Sequence, residues 1–394
     1  MDITAIIVSY NVKYFLAQTV LSLFRAATQM QLEVIVVDND SHDGSIPFLK
    51  KIFAEEIQNQ RMAIIENTEN VGFGQANNQA LRIAKGDYVL YVNPDTLIGE
   101  DTLQECLAFL RTHVTAGAVG VRMLHGNGRF ALESRRGTPT PFTAFCKMFG
   151  LARLFPRSRV FGHYYLRYMD DSQSCPIDIV SGAFMMVARN ILNQLQGFDE
   201  RFFMYGEDID LSYRIKQLGY QNYYLPTRIL HYKGESTNKS SRRYVNLFYQ
   251  AMAIFFRKHY QHAFWLWLPV YAGIYVMSFR AVVMQNWRKL RRRFSGKNTN
   301  SKYDYLFVGS SDMHRKAAQL CEAHHINGQF LSKAEFSMDR IGEQNNGTPT
   351  IIYYDMSEFS VKEILRQFDG QPNSQCYIGT YFVEENILLP EFDV

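Results

Sequence analysis

The chain has 394 residues, a formal net charge of +4 and 47% hydrophobic residues, enough for two domains with their own cores. Five scattered cysteines (Cys106, Cys146, Cys175, Cys321, Cys376) form no CxxC pair, which argues against a disulfide framework or a structural zinc site and suits a reducing compartment. The mild net charge hides an asymmetry: Ser236 to Tyr303 has no Asp or Glu but thirteen of the 42 basic residues, leaving 29 against 38 acids elsewhere. An acid-free basic segment needs an anionic partner or a membrane surface, and a membrane surface rather than nucleic acid is expected here.

MDITAIIVSYN lacks the basic start of a signal peptide and reads as a first strand, so a cytoplasmic catalytic part is expected. AIIVSY (5–10), LEVIVVDND (32–40), MAIIEN (62–67) and YVLYVNPD (88–95) read as strands. Phe15 to Ala27, IPFLKKIFAEEI (46–57) and GQANNQALRIAKG (74–86) read as the helices between them. This alternation predicts an α/β fold with a mainly parallel sheet between helices. Such sheets bind ligands beyond the carboxyl ends of their strands. Asn11, the pair Asp38 and Asp40, Asn70 and Asp95 stand at four successive ends, which predicts a binding edge.

In YVLYVNPDTLI (88–98), Pro94 makes the strand exit rigid. Asp95 is either part of a capped strand-to-helix turn or a metal ligand. NVGFGQANNQA (70–80) offers glycines for close backbone approach and a helix start that favours phosphate oxygens. Arg135 and Arg136 in ESRRGTPTP (133–141) read as solvated charges. VSGAFMMVAR (180–189) reads as a buried strand, a helix opens near Gly206, and YQNYYLP (220–226) is a further strand. Glu207 and Asp208 open that helix, where the dipole stabilises acids. Asp210 precedes Arg214 by four residues, which predicts a structural ion pair.

AFWLWLPVYAGIYVMSF (263–279) carries no charge and is followed by the basic WRKLRRRFSGK. It reads as an interfacial or re-entrant membrane helix, with a core helix and a full span as alternatives. SGKNTNSK (295–302) is a linker, and a second α/β pattern follows. There Gly309-Ser310-Ser311 reads as an ordinary strand-to-helix turn, with a phosphate cradle as the weaker alternative. The expected division is 1–237, a basic aromatic segment 238–299, and a small Rossmann-like domain 300–394 of unknown role.

VSYN, VVDNDSHDGS, NVGFGQANNQAL, GDYVLYVNPDT, VSGAFMMVAR and GFDERFFMYGEDIDLSYRIKQLGY…ILHYKGES occur in this order over residues 3–237. The series resembles family 2 inverting glycosyltransferases of the GT-A fold, in their rhamnosyltransferase-like branch. The resemblance implies a nucleotide-diphosphate sugar donor (dTDP-, UDP- or GDP-linked) and a glycan or polyprenyl-linked saccharide acceptor. It implies work at the cytoplasmic face of a bacterial inner membrane, in cell-surface polysaccharide synthesis. It assigns donor contacts to Ser9, Asn11, Asp38, Asp40, Asn70, Gly72, Asn77 and Asn93. It makes Asp95 and His231 ligands of Mg²⁺ or Mn²⁺, and it makes Asp208, beside Glu207, the catalytic base.

Physical chemistry is compatible with these roles. A leaving diphosphate needs a cation, which hard oxygen ligands hold. Asn93 stands where the family often has an acid, and a histidine ligand tilts preference towards Mn²⁺. A sugar nucleotidyltransferase would need a glycine-rich N-terminal loop, which IIVSYNVKYFLAQT lacks. A non-catalytic scaffold with a degenerate transferase domain is the alternative of another class, and Asn93 is its main support.

Overall fold

The computed structural model describes residues 1–232, 242–260, 303–338, 348–370 and 375–390. The segment 263–279, its basic tail and the linker 295–302 lie outside the described residues. Among the described residues no helix is long and apolar enough to cross a membrane.

The chain begins with β1 (Ile3–Ser9), α1 (Lys13–Ala26), β2 (Leu32–Asn39), α2 (Ser45–Ile52), α3 (Ala54–Gln58), β3 (Met62–Asn67), α4 (Phe73–Leu81) and β4 (Tyr88–Val92). β1 and β2 are buried along their whole length, which is why they read as unbroken apolar runs. Next come β5 (Thr96–Ile98), α5 (Thr102–Thr112), β6 (Ala116–Leu124), α6 (Pro141–Met148) and α7 (Leu151–Leu154). α6 starts with Pro at its first position and a Thr140 hydroxyl that accepts from Thr143 N at 3.1 Å. β7 (Cys175–Ile177), β8 (Phe184–Ala188), α8 (Arg189–Leu195), α9 (Glu207–Gln217), β9 (Gln221–His231) and α10 (Arg242–His259) complete this part.

The sheet runs β3-β2-β1-β4-β8-β6-β9-β5, with β7 also on β9. It is mixed, which corrects the mainly parallel expectation. β1–β4 pair in parallel, but β8 is antiparallel to β4 and β6, and β5 and β7 are antiparallel to β9. The expectation missed β5, β6 and β7. β6 reads AGAVGVRML, too rich in small residues to look like a strand. Its Gly117 and Gly120 lie where a Cβ would meet Ile215 Cγ2 at 2.2 Å and Val180 Cγ1 at 2.8 Å.

A second sheet follows, β10 (Asp304–Val308), α11 (Ser311–Ala323), β11 (Gly328–Leu331), β12 (Thr350–Asp355), α12 (Val361–Gly370), β13 (Cys376–Phe382) and β14 (Ile387–Leu389). Its order is β11-β10-β12-β13-β14, parallel except for β14. Ser310 is an N-cap, and Asp355 Oδ2 accepts from Ser310 N at 3.1 Å. A carboxylate thus fills the place a phosphate would need, and the segment is the ordinary turn expected.

The two sheets share one apolar cluster, in which Leu97, Ile98 and Ile229 join Leu365, Phe368 and Leu389. Polar bonds fix the seam. Glu100 Oε1 and Oε2 accept from Val361 N and Lys362 N, each at 2.8 Å, and so cap α12 from the first sheet. Asp369 is gripped by Arg122 Nη2 at 2.6 Å and Arg228 Nε at 2.7 Å, with its side chain 9% exposed. Removing a buried partner strands the remaining charges. Asp369→Ala is therefore expected to lower stability by roughly 3 kcal/mol, read as an earlier urea transition by circular dichroism, with Asp369→Asn in between.

Candidate active site

The residues at the carboxyl edge of the first sheet meet in a cavity of about 360 Å³. Its wall includes Ser9, Asn70, Asn93, Asp95, Glu207, Asp208 and His231 from the expected set. Asn11, Asp38, Asp40, Gly72 and Asn77 do not line it.

The first wall is built at the exit of β4. No helix follows Pro94. β5 begins at Thr96 and pairs antiparallel with β9, with Thr96 opposite His231. The reading of this stretch as a capped strand-to-helix turn is overturned, because backbone pairing continues the chain as a strand. Thr19 of α1 clamps the turn: its Oγ1 lies 2.8 Å from Pro94 O and 2.7 Å from Thr96 O. Asn93 N donates to Ala183 O at 3.1 Å, and Tyr232 N donates to Asp95 O at 3.0 Å.

This frame sets His231 Nε2 3.3 Å from Asp95 Oδ1 and 3.4 Å from Asn93 Nδ2. Asp95 is 3% exposed and His231 7%. His231 Nδ1 is buried with no hydrogen-bond partner among the described residues. Donors 3.3 Å apart suit two neighbouring corners around one cation, since bonds of ~2.1 Å span about 3.0 Å between adjacent octahedral ligands. Turning the Asn93 amide would present its oxygen to the same point. Among the described residues no three His, Cys, Asp or Glu side chains cluster as a complete metal site. Asp95, His231 and Asn93 are compatible with part of a cation's ligand shell and do not complete one.

The opposite wall is the start of α9. Tyr205 and Gly206 take left-handed conformations (φ 69° and 82°) and turn the chain sharply into the helix. Asp208 Oδ2 accepts from Gly182 N at 3.0 Å and from Arg136 Nη2 in a short ion pair. Gly182 eases this approach, since a Cβ there would stand 3.3 Å from Asp208 Cβ. Arg136 also donates to Val180 O at 3.1 Å. Burial alone would lower its pKa, but the Asp208 carboxylate more than offsets this and holds the guanidinium charged. Glu207 has the reverse environment. Burial first, and the neighbouring Asp208 charge second, push its carboxyl well above the usual carboxylate range. Its Oε2 is buried with no hydrogen-bond partner among the described residues. Asp208 is thus the oriented carboxylate and Glu207 the protonated neighbour.

Arg135 and Arg136 are expected as solvated charges, but Arg135 is buried and Arg136 is largely covered, its side chain 11% exposed. Arg135 is 3% exposed, donates to Met169 O at 3.1 Å and Asp170 O at 2.8 Å, and lies 5.2 Å from the Phe130 and Tyr224 ring centroids. Met169 and Asp170 fold back onto Arg135, and nothing in the run SRRG signals this. Lys147 was also missed. It enters the cavity from α6, with Nζ 3.6 Å from the Tyr164 ring centroid.

Asp38 lies behind the cavity wall, opposite Ser9 in the β1–β2 register. Its Oδ2 accepts from Ser41 N at 2.9 Å, while Asp38 Oδ1 and Ser9 Oγ have no partner among the described residues. Asn11 Oδ1 accepts from His42 N at 2.7 Å and braces the loop after β2. Asp40, at φ 68°, faces His42 at 3.7 Å. Gly72 approaches Phe203 rather than the cavity, and Phe73 N donates to Phe203 O at 2.7 Å, so this amide at the α4 start is not open to a phosphate. Asn77 Nδ2 donates to Phe73 O at 2.9 Å. Asp210 is structural as expected, bonded to Arg214 at 2.7 Å and also to His259 at 2.7 Å.

Residues 4–195 match the profile of Glycosyl transferase family 2. The chain is 26% identical over 282 residues to the N-acetylglucosaminyl-diphospho-decaprenol L-rhamnosyltransferase of Mycobacterium tuberculosis, covering 68% of this chain and 88% of that protein. It is 29% identical over 135 residues to the poly(ribitol-phosphate) beta-N-acetylglucosaminyltransferase TarS of Staphylococcus aureus, covering 34% of this chain and 23% of TarS. The mannosyltransferase PcManGT of Pyrobaculum calidifontis, solved with GDP-Man and Mn²⁺, superposes with a TM-score of 0.46 at 20% identity, over 82% of this chain and 80% of that one.

The raised Glu207 pKa has a stability consequence. Its protonated form is favoured in the folded state, so its contribution is fully present below the unfolded value of about 4.3 and is lost as pH rises towards the folded one. Glu207→Gln removes this loss. Its melting temperature should gain on that of the parent between about pH 5 and about pH 8, measured by calorimetry at matched ionic strength; parallel curves would place Glu207 in a solvated setting.

Proposed function

The chain belongs to glycosyl transferase family 2 through residues 4–195, and from that premise we propose an inverting, metal-dependent transfer of a sugar from a nucleotide-diphosphate sugar to a lipid-linked glycan acceptor. The proposed setting is the cytoplasmic face of a bacterial inner membrane, in cell-surface polysaccharide synthesis. One observation carries the reading: the Asp95–His231 pair and the Asp208–Glu207 pair face a single cavity. The rhamnosyltransferase relative, by its name, acts on a diphospho-decaprenol acceptor. That supports a polyprenyl-linked acceptor here.

In the proposed reaction Asp208 takes the proton of the acceptor hydroxyl as that oxygen bonds to the anomeric carbon. The bond from that carbon to the diphosphate oxygen breaks on the far side, and the nucleoside diphosphate leaves with the electron pair. Gly182 N and Arg136 fix the Asp208 carboxyl at the cavity wall. Glu207, kept neutral, adds no second negative charge beside the incoming diphosphate. Asp95 and His231, with Asn93, would hold Mg²⁺ or Mn²⁺, which supplies charge neutralisation for the leaving group. Ser9, which lines the cavity and whose buried Oγ has no hydrogen-bond partner among the described residues, is the proposed contact for the nucleoside.

The test is nucleoside diphosphate release from UDP-, dTDP- and GDP-sugars with and without Mn²⁺. Asp208→Asn is expected to lower turnover by about 10²- to 10⁴-fold while the nucleotide still raises the melting temperature. His231→Ala is expected to raise the Mn²⁺ concentration for half-maximal rate by about 10-fold or more. Full turnover in Asp95→Ala at unchanged Mn²⁺ dependence would overturn the metal assignment. A scaffold without activity would release no diphosphate from any donor.

A further inference from the structure

Among the described residues ten large apolar side chains are exposed, and five of them fall between Phe142 and Val160: Phe142, Phe149, Leu154, Phe155 and Val160, at 51–70% exposure. They are not scattered. The Phe161 ring lies 6.4 Å from Phe142 and 5.5 Å from Phe155, joining α6 to the loop after α7. An exposed aromatic patch of this kind marks a docking surface. The same segment is basic: Arg153, Arg157, Arg159 and Arg167 are all exposed, and no Asp or Glu occurs from Pro141 to Met169.

We infer that residues 141–161 form a membrane-docking face that binds anionic phospholipid with its phenylalanines at the headgroup boundary and its arginines on lipid phosphates. The pattern of exposed aromatics set among cations is that of an interfacial anchor rather than a span. Charge decides between the candidate occupants. A second copy docking by a two-fold axis would set arginines against arginines. The segment 261–302 of this chain has no acid and is itself basic, so it does not complement the face. An anionic bilayer does.

The position of the face gives it a use, which rests on the lipid-linked acceptor proposed above. The inner side of the same segment lines the cavity through Lys147 of α6 and through Tyr164 and Tyr165. A bilayer against the outer side therefore lies one helix away from the cavity. A polyprenyl tail can stay in the lipid while its saccharide reaches Asp208. The face would act independently of residues 238–299, doubling the attachment.

The test is cosedimentation of the full chain with vesicles of phosphatidylcholine alone or mixed with phosphatidylglycerol. Binding to the mixed vesicles is expected to weaken with salt and to be far weaker on phosphatidylcholine. Arg153→Glu, Arg157→Glu and Arg159→Glu together should lower the partition coefficient by at least about five-fold per arginine. Phe142→Ser with Phe155→Ser should lower it about 10-fold or more. Unchanged melting temperatures and nucleoside diphosphate release should accompany both sets, and the charge-reversal set leaves the ring contacts alone. If the parent binds mixed vesicles and the variants bind equally well, this face is overturned while membrane attachment through 238–299 stands. If the parent binds neither vesicle, the face and the membrane setting fall together, and diphosphate release still reports the transferase reading. If the variants instead lose only self-association, the occupant is a second copy and the inference is wrong.

Discussion

The pairing of Thr96–Ile98 with Ile229–His231 is the constraint on which the cavity depends. Backbone hydrogen bonds set Asp95 and His231 side by side before any side chain is chosen. The turn between β4 and β5 is too short to wander, because Pro94 limits it and Thr19 bonds both of its flanks. The opposite wall hangs on the same frame. Ala183 O receives Asn93 N at 3.1 Å, and the preceding Gly182 N reaches Asp208 at 3.0 Å. One short stretch, Ser181 to Ala183, thus ties the β4 exit to the start of α9. Errors in its position would move both pairs of acidic and imidazole groups together, which preserves their spacing.

Electrostatics then decides which groups can be charged at once. Asp95, Glu207 and Asp208 all face the cavity, and three unscreened carboxylates would repel a diphosphate. The structure avoids this in two ways. Arg136 pairs with Asp208, so the two together bring little net charge to the cavity. Glu207 is buried beside it and keeps its proton. Lys147 adds a cation held among aromatic rings. What remains of the three is Asp95, with the neutral Asn93 at the same turn of the cavity wall. Asn93 in place of an acid is consistent with this balance rather than with decay of the site.

Much of this was legible in the sequence, and the limits have physical causes. The strands of the parallel half are long buried apolar runs, so β1, β2 and β4 stand out. Of the polar residues at their ends, Asn70 and Asp95 line the cavity and Asn11, Asp38 and Asp40 do not, while Asp208 and His231, singled out by the resemblance, also line it. The antiparallel half was harder. β5 has only three residues and β6 opens on Ala-Gly-Ala with a second glycine at 120, so neither carries a period that local reading can detect. Arg135 and Arg136 were misread because their partners lie far along the chain, Met169 and Asp170 for the first and Val180 and Asp208 for the second, which no local pattern encodes. Gly72 was read as room for a ligand, whereas the room is taken by Phe203, at 2.7 Å from a would-be Cβ. A glycine reports that something comes close, not what it is.

The second sheet has a consequence for the first that its own residues do not suggest. Its most plausible ligand position is closed by Asp355, which is fully buried and bonded to Ser310 and Ser357. Yet its β13 reaches α1 and, through it, the residue after β9: Thr380 Oγ1 donates to Gln18 Oε1 at 3.1 Å, and Gln18 Nε2 donates to Tyr232 OH at 3.4 Å. Tyr232 is the residue whose amide holds Asp95 O. Gln18 lies on α1 one residue before Thr19, the clamp of the β4–β5 turn, and is fully buried. A buried amide with both ends bonded resists displacement, because moving it strands a donor and an acceptor away from water. The second sheet therefore acts on the cavity as a brace, stiffening β9 and α1 from behind through a polar bridge set in an apolar seam.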